Sequence, residues 1–237
     1  MKSFLNNMKL AALFSGGKDS VFSIYLAKRQ GHEIKCLVSV LPKSDESHLL
    51  HHPNVTWTSL QSKSMKIPQI TRSSDSDETS TELTVLEDLL VRAKHDYDIE
   101  GIVHGGIKSN FQKEKFDALC QKLNLRSISP LWHLDSKKYL NDLISSNFVF
   151  IITSVSSGGL DDSWLGKKIG KKELDDLQIL SEKFGFNLDF EGGEAETFVL
   201  NCPLFLHPIE ITKKEKRWDG YRGRFEILDA RLNYNVR

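Results

Sequence analysis

Leu10-Ala11-Ala12-Leu13-Phe14-Ser15-Gly16-Gly17-Lys18-Asp19-Ser20 decides the fold, because an apolar run enters a glycine pair and leaves it on a polar sequence that starts a helix. Lys9 to Phe14 reads as a buried strand and Ser15 to Lys18 as a tight loop. Asp19 to Gln30 reads as a helix, with Val21, Ile24, Tyr25 and Ala27 repeating near the helical period and Gly31 as its stop. Glu33 to Leu41 is a second strand, closed by Pro42. Strand, helix, strand at this spacing predicts parallel pairing through a right-handed crossover.

The loop has a direct physical use. Its glycines let the backbone approach an anion and turn N–H groups toward it. The helix start adds roughly half a positive charge at the same place. Lys18 supplies a full cation, Ser15 and Ser20 supply hydroxyls, and Asp19 can cap the helix or hold a metal-bound water. The Walker A pattern is absent, since the spacing of Gly16-Gly17-Lys18-Asp19 does not meet it. A purely structural glycine turn would not need so polar a sequence.

Working outward, Val55 to Leu60 reads as a strand and Arg72 to Ser80 as a polar loop. Thr79 with Glu82 suggests a capping box, opening a helix with Leu83, Leu86, Leu90 and Ala93 on one face. Ile99 to His104 is another strand, followed by Gly105-Gly106. Ser109 then opens a helix with Phe116, Leu119, Cys120 and Leu123 inward. Pro130 marks a boundary. Beyond it come a helix (136–146), an apolar strand (148–155) and a helix carrying Leu174, Leu177, Leu180 and Phe184. Asp219-Gly220 lies between two alternating segments and signals a hairpin.

Composition narrows the class. Among 237 residues, Lys plus Arg and Asp plus Glu both number 32, so no global basic field attracts nucleic acid. Cys36, Cys120 and Cys202 are scattered, which fits a reducing compartment better than a disulfide framework. The apolar runs fall short of the roughly 20 residues a membrane span needs, and the start shows no signal-peptide pattern. The expectation is a soluble cytoplasmic protein without a membrane partner. His48, His51 and His52 have helical spacing but lack the further ligand a metal site requires, so no metal site is assigned. Lys213-Lys214-x-Lys216-Arg217 reads as solvated surface that could also meet an acidic partner.

A second motif is Glu191-Gly192-Gly193-Glu194-Ala195-Glu196-Thr197-Phe198. Three carboxylates this close repel unless a cation sits among them. Ammonium, Mg²⁺ or a quaternary amine would serve, and a solvated acidic turn is the plainer alternative.

The stretch Ser15 to Ser20 resembles the pyrophosphate loop of the N-type ATP pyrophosphatases, in the adenine nucleotide α-hydrolase superfamily. The second motif, with Asn201-Cys202-Pro203-Leu204-Phe205, resembles the signature of the diphthine–ammonia ligases. Gly105-Gly106-Ile107-x-Ser109 with Gln112, Pro130-Leu131-Trp132, and Gly159-Leu160-Asp161 before Trp164-Leu165-Gly166-Lys167 match in the same order. Ala195 stands where that family usually has an aromatic residue, Asn201 where Asp is common, and Gly106 where Ala or Asp is found.

The resemblance implies a parallel five-stranded α/β sheet of the HUP (Rossmann-like) type with helices on both faces, in an ATP-binding domain over residues 1–130. A smaller C-terminal α/β domain, 131–237, would carry the acidic motif and bind substrate. It implies ATP with Mg²⁺, and amidation by ammonium of the diphthine carboxylate on elongation factor 2 through an acyl-adenylate. Ser15, Gly16, Gly17, Lys18, Asp19, Ser20, Ser39, Gly105 and Ser109 would hold the nucleotide. Gln112, Asp161, Glu191, Gly192, Gly193, Glu194, Glu196 and Thr197 would meet the substrate, with Lys18, Asp19, Glu194 and Glu196 catalytic. Two rivals remain: tRNA thiolation, for which Cys202 is the candidate thiol, and nucleotide sensing without chemistry.

Overall fold

The computed structural model describes residues 7–43 and 54–235, so the His48, His51 and His52 cluster lies outside the described residues. In chain order the elements are β1 (Lys9–Leu13), α1 (Lys18–Arg29), β2 (Glu33–Leu41), α2 (Thr58–Met65), β3 (Gln69–Ser73), α3 (Thr79–Tyr97), β4 (Gly101–Val103), α4 (Asn110–Lys122), β5 (Arg126–Ile128), α5 (Ser136–Ser145), β6 (Val149–Val155), α6 (Lys171–Phe184), β7 (Ala195–Asn201), β8 (Ile209–Trp218) and β9 (Gly223–Leu232). They form two compact units. The first holds residues 1–15, 19–55 and 66–132, and the second holds Gly16–Lys18, Thr56–Met65 and His133–Arg237.

The first unit is built on a five-stranded sheet of order β3-β2-β1-β4-β5, parallel at every pairing. Its central strands β1, β2 and β4 are largely apolar because both faces are covered, whereas the edge strands β3 and β5 are polar. Ala11, Leu13, Cys36, Val38 and Ile102 pack with Leu86, Leu90 and Ala93 of α3 and Phe116 and Leu119 of α4. Leu10, Ala12 and Leu37 alternate to the other face and are equally buried, as are Val21, Ile24 and Ala27 of α1. Gly31, at φ 95°, closes α1 as expected.

The second unit carries an antiparallel sheet of order β7-β6-β9-β8 with α2, α5 and α6. Leu140 and Leu143 of α5 and Leu174 and Leu177 of α6 are buried, whereas Phe184 is exposed.

Three local expectations fail for identifiable reasons, and a fourth holds with a shift of one residue. The segment expected as a strand at 55–60 is a 3-10 turn (Val55–Trp57) running into α2. Its buried face is polar (Thr58, Gln61, Ser62, Ser64), so apolar spacing could not reveal the helical period. The third strand of the parallel sheet is instead Gln69–Ser73, which takes in the start of the expected polar loop. The Thr79–Glu82 capping box does not form: Glu78 is the N-cap and Thr79 is already helical. The β8–β9 hairpin forms, but the Asp219 N–H donates to the Arg222 carbonyl, so Gly220-Tyr221 is the tip.

Candidate functional site

In the first unit, β1 and β4 are neighbours from which the strand order runs outward in opposite directions, and open α/β sheets bind ligands at the carboxyl ends of such strands. The segments leaving those two ends are the loop from Ser15 and the turn from His104. They pack tightly: a Cβ on Gly105 would stand 2.7 Å from the Asp19 carbonyl carbon and 2.8 Å from the Ser20 nitrogen. Gly105 is therefore required for the first turn of α1 to come this close. Ser15 Oγ donates to Ser20 Oγ at 3.2 Å, and Asp19 is half-buried at the head of the helix.

Ser39 is buried in β2, its hydroxyl donating to the Phe14 carbonyl (2.6 Å) and accepting from Gln69 Nε2 (2.9 Å). That hydroxyl serves the sheet. Ser109 is the N-cap of α4, accepting from the Gln112 N–H at 3.3 Å. His104 follows β4 and is 2% exposed. Its Nδ1 accepts from the Gly106 N–H, which leaves the proton on Nε2, and burial pushes its pKa down to about 4. The ring stays neutral and fixes the Gly105-Gly106 turn.

In the second unit the Gly16–Lys18 loop bonds to Thr197 of the acidic motif and to residues beside it. Gly16, at φ 79°, gives its carbonyl to the Val199 N–H (3.0 Å) and to Gln61 Nε2 (2.9 Å). Gln61 Nε2 also donates to the Val199 carbonyl, closing a ring around the start of the loop. The Lys18 N–H donates to Thr197 Oγ1 at 3.1 Å, and Lys18 Nζ donates to the Asp189 carbonyl at 2.6 Å. The Lys18 side chain is 2% exposed, with Nζ 5.2 Å from the centroid of the Phe190 ring. A buried ammonium needs such compensation. Phe190 holds φ 66°, a left-handed conformation that costs a non-glycine residue about 1–2 kcal/mol.

Within the motif, Glu194 accepts from the Asn187 N–H (2.8 Å), Asn187 Nδ2 (2.6 Å) and the Gly192 N–H (2.9 Å). Its carboxylate thus closes the turn from Asn187 to Gly192. Gly193, at φ 79°, gives its carbonyl to Ser156 Oγ. Glu191 and Glu196 are half-buried, and Thr197 pairs with Ile152 on β6. Ala195 opens β7, buried and opposite Val155. Asp161 is exposed. Its carboxylate accepts from the Ser163 N–H and hydroxyl, and those bonds, led by the hydroxyl, hold its pKa below the usual carboxylate range.

Sequence reading missed Gln61, Asp189 and Phe190. Gln61 lies in the helix misread as a strand, and Asp189-Phe190 sits just upstream of the motif with no spacing to mark it. A fully buried carboxylate was the available signal, and only the fold reveals burial. All three cysteines are buried, and burial pushes each thiol up to about 12.

A parallel sheet of this order, with a glycine-serine-lysine loop entering its first crossover helix, defines an α/β nucleotide-binding protein of the pyrophosphate-loop class. Sequence comparison places it more closely. The model for the diphthamide synthase N-terminal domain matches residues 8–127, and that for the C-terminal domain matches residues 135–232. Diphthine–ammonia ligases of Rattus norvegicus and Homo sapiens are each 34% identical over 226 residues, covering 88% of this chain and 84% of theirs. That of Schizosaccharomyces pombe is 34% identical over 224 residues, which is 37% of its length. A solved structure described as a predicted subunit of tRNA methyltransferase from Methanocaldococcus jannaschii shares 16% identity at a TM-score of 0.40, covering 82% of this chain and 98% of its own, a likeness too loose to bear on function. The chain belongs to the diphthine–ammonia ligase family.

Proposed function

We propose that this enzyme amidates the carboxylate of diphthine on elongation factor 2, consuming ATP and ammonium and releasing AMP and pyrophosphate. Family membership supports the ligase activity. The observation that carries the mechanism is the direct bonding of the Gly16–Lys18 loop to Thr197 and Val199, in and just beyond the acidic motif.

The residues fit a nucleotide diphosphate. Gly16 holds a positive φ, α1 begins at Lys18 and runs for 12 residues, and Ser15 and Ser20 add hydroxyls beside it. Among the described residues no group of three or more His, Cys, Asp or Glu could cage a metal. Mg²⁺ would therefore be held chiefly by the phosphates with Asp19, as is usual for this ion. Bound there, it would neutralise charge on the leaving pyrophosphate.

The diphthine carboxylate attacks the α-phosphorus, the α–β bridging bond breaks toward pyrophosphate, and an acyl-adenylate forms. Loop amides and Lys18 stabilise the leaving group. Ammonia then attacks the acyl carbon, AMP departs, and a proton is lost from the attacking nitrogen. Glu191, Glu194 and Glu196 supply the negative field that draws ammonium and the trimethylammonium of diphthine, with Glu196 or Glu194 accepting the proton. Gln112 and Asp161 contact the substrate protein. No helix among the described residues is long and apolar enough to cross a membrane.

A thiolating activity would need a thiol of lowered pKa, and the opposite holds at all three cysteines. The deciding experiment incubates the protein with ATP, ammonium and diphthine-bearing factor. Equal yields of AMP, pyrophosphate and amide support the proposal, with Glu194→Gln keeping ATP binding and losing amide. Hydrolysis to ADP, or AMP formation indifferent to the factor, would refute it.

A further inference from the structure

We infer that Asp189 is a positioning residue that sets Lys18 and the first glutamate of the acidic motif relative to one another. The inference rests on Gly16–Lys18 being the ATP phosphate loop. Asp189 is 1% exposed, and three of its atoms are engaged. Oδ2 accepts from Ser136 Oγ at 2.5 Å, at the start of α5. Oδ1 accepts from the Glu191 N–H at 3.3 Å. Its carbonyl accepts from Lys18 Nζ at 2.6 Å.

The carboxylate thus ties its own turn to the start of α5, and the turn is one the chain would otherwise avoid. Phe190 lies between the two anchored residues in a left-handed conformation, with its ring over the Lys18 ammonium. Strain of this kind persists only where the surroundings over-determine it. Here Ser136 and Asp189 do so. The outcome is a carbonyl and an aromatic face both aimed at one ammonium, with Glu191 fixed one residue further on. Lys18 would act in pyrophosphate departure and Glu191 in drawing ammonium, so one buried carboxylate sets the geometry of both steps.

The test pairs activity with a readout of Lys18 itself. Asp189→Asn, Ser136→Ala and Ser136→Thr are compared with wild type for kcat and KM of AMP formation. Labelling of Lys18 by an amine-reactive acetylating reagent is followed by peptide mapping, with thermal unfolding as the fold control. Asp189→Asn should lower kcat by about tenfold or more with a smaller change in KM, because it misplaces a group acting at the transition state. It should also label Lys18 about tenfold faster than wild type, where burial protects the amine. Ser136→Ala should move both in the same direction by less, and Ser136→Thr, which keeps the hydroxyl, should restore both. In a Lys18→Ala background, Asp189→Asn should cost nothing further. The inference is overturned if Lys18 labels at the wild-type rate in the folded variants, or if the losses from Lys18→Ala and Asp189→Asn multiply. If wild type makes no AMP while Asp189→Asn still labels Lys18 faster than wild type does, the ATP reading is refuted and the positioning of Lys18 stands.

Discussion

Thr197 Oγ1 accepts the backbone N–H of Lys18 across 179 residues of sequence, so the strand that leaves the acidic motif is bonded directly to the Gly16–Lys18 loop. Thr197→Val keeps the shape and deletes the acceptor. It should cost about 1–2 kcal/mol of unfolding free energy in urea titrations, the worth of a buried hydrogen bond and its unmet donor. It should weaken ATP binding as well. Thr197→Ser should stay near wild type in both.

Gly105 meets the first turn of α1 backbone to backbone. A methyl group there has no flexible neighbour to displace, and forced overpacking costs about 1–3 kcal/mol. Gly105→Ala should therefore lower stability by that order and raise the KM for ATP. An ATP titration of the folded variant with unchanged affinity would show that the turn after β4 does not shape the nucleotide site.

His104 gives the protein an acid-sensitive element. Its folded pKa of about 4 lies below the ordinary 6.5 because burial disfavours the charged ring. The unfolded chain takes up the proton first as pH falls. The neutral ring's contribution is thus fully present above pH 6.5 and is lost progressively toward pH 4, by about 3 kcal/mol in all at 1.36 kcal/mol per pH unit. Denaturant titrations from pH 7 to about 4.5 should show a steeper fall for wild type than for His104→Gln. Parallel curves would contradict the assignment.

The cysteines should be inert. With each thiol pushed up to about 12 by burial, almost no thiolate is present at neutral pH. Native protein should resist iodoacetamide at about pH 8 and become fully alkylated only on unfolding. Cys202→Ser should keep full AMP formation.

Much of the first unit was legible because its signals are local. Ser15 to Ser20 carries its glycines, cation and helix start in consecutive residues, and β2 runs from Glu33 to Leu41 as its apolar content indicated. Alpha-2 was illegible because it buries Gln61, Ser62 and Ser64, whose worth lies in partners that include Gly16, Val199 and His207. β5 is three residues long, too short to show a period. Within the acidic motif the sequence displayed the charges but not their use. Glu194 and Asn187 are seven residues apart and meet only because the chain turns back between them. Asp189 stayed hidden because nothing local distinguishes a buried carboxylate from a solvated one.

The central claim is that the Gly16–Lys18 loop grips the diphosphate of ATP. Calorimetric titration of the pure protein with ATP and Mg²⁺, in wild type and Lys18→Ala, tests it most directly. Wild type should bind one ATP, and Lys18→Ala should bind it about tenfold or more weakly, from loss of a charge-assisted contact. No heat of binding with wild type, or equal affinity in the two proteins, would contradict it.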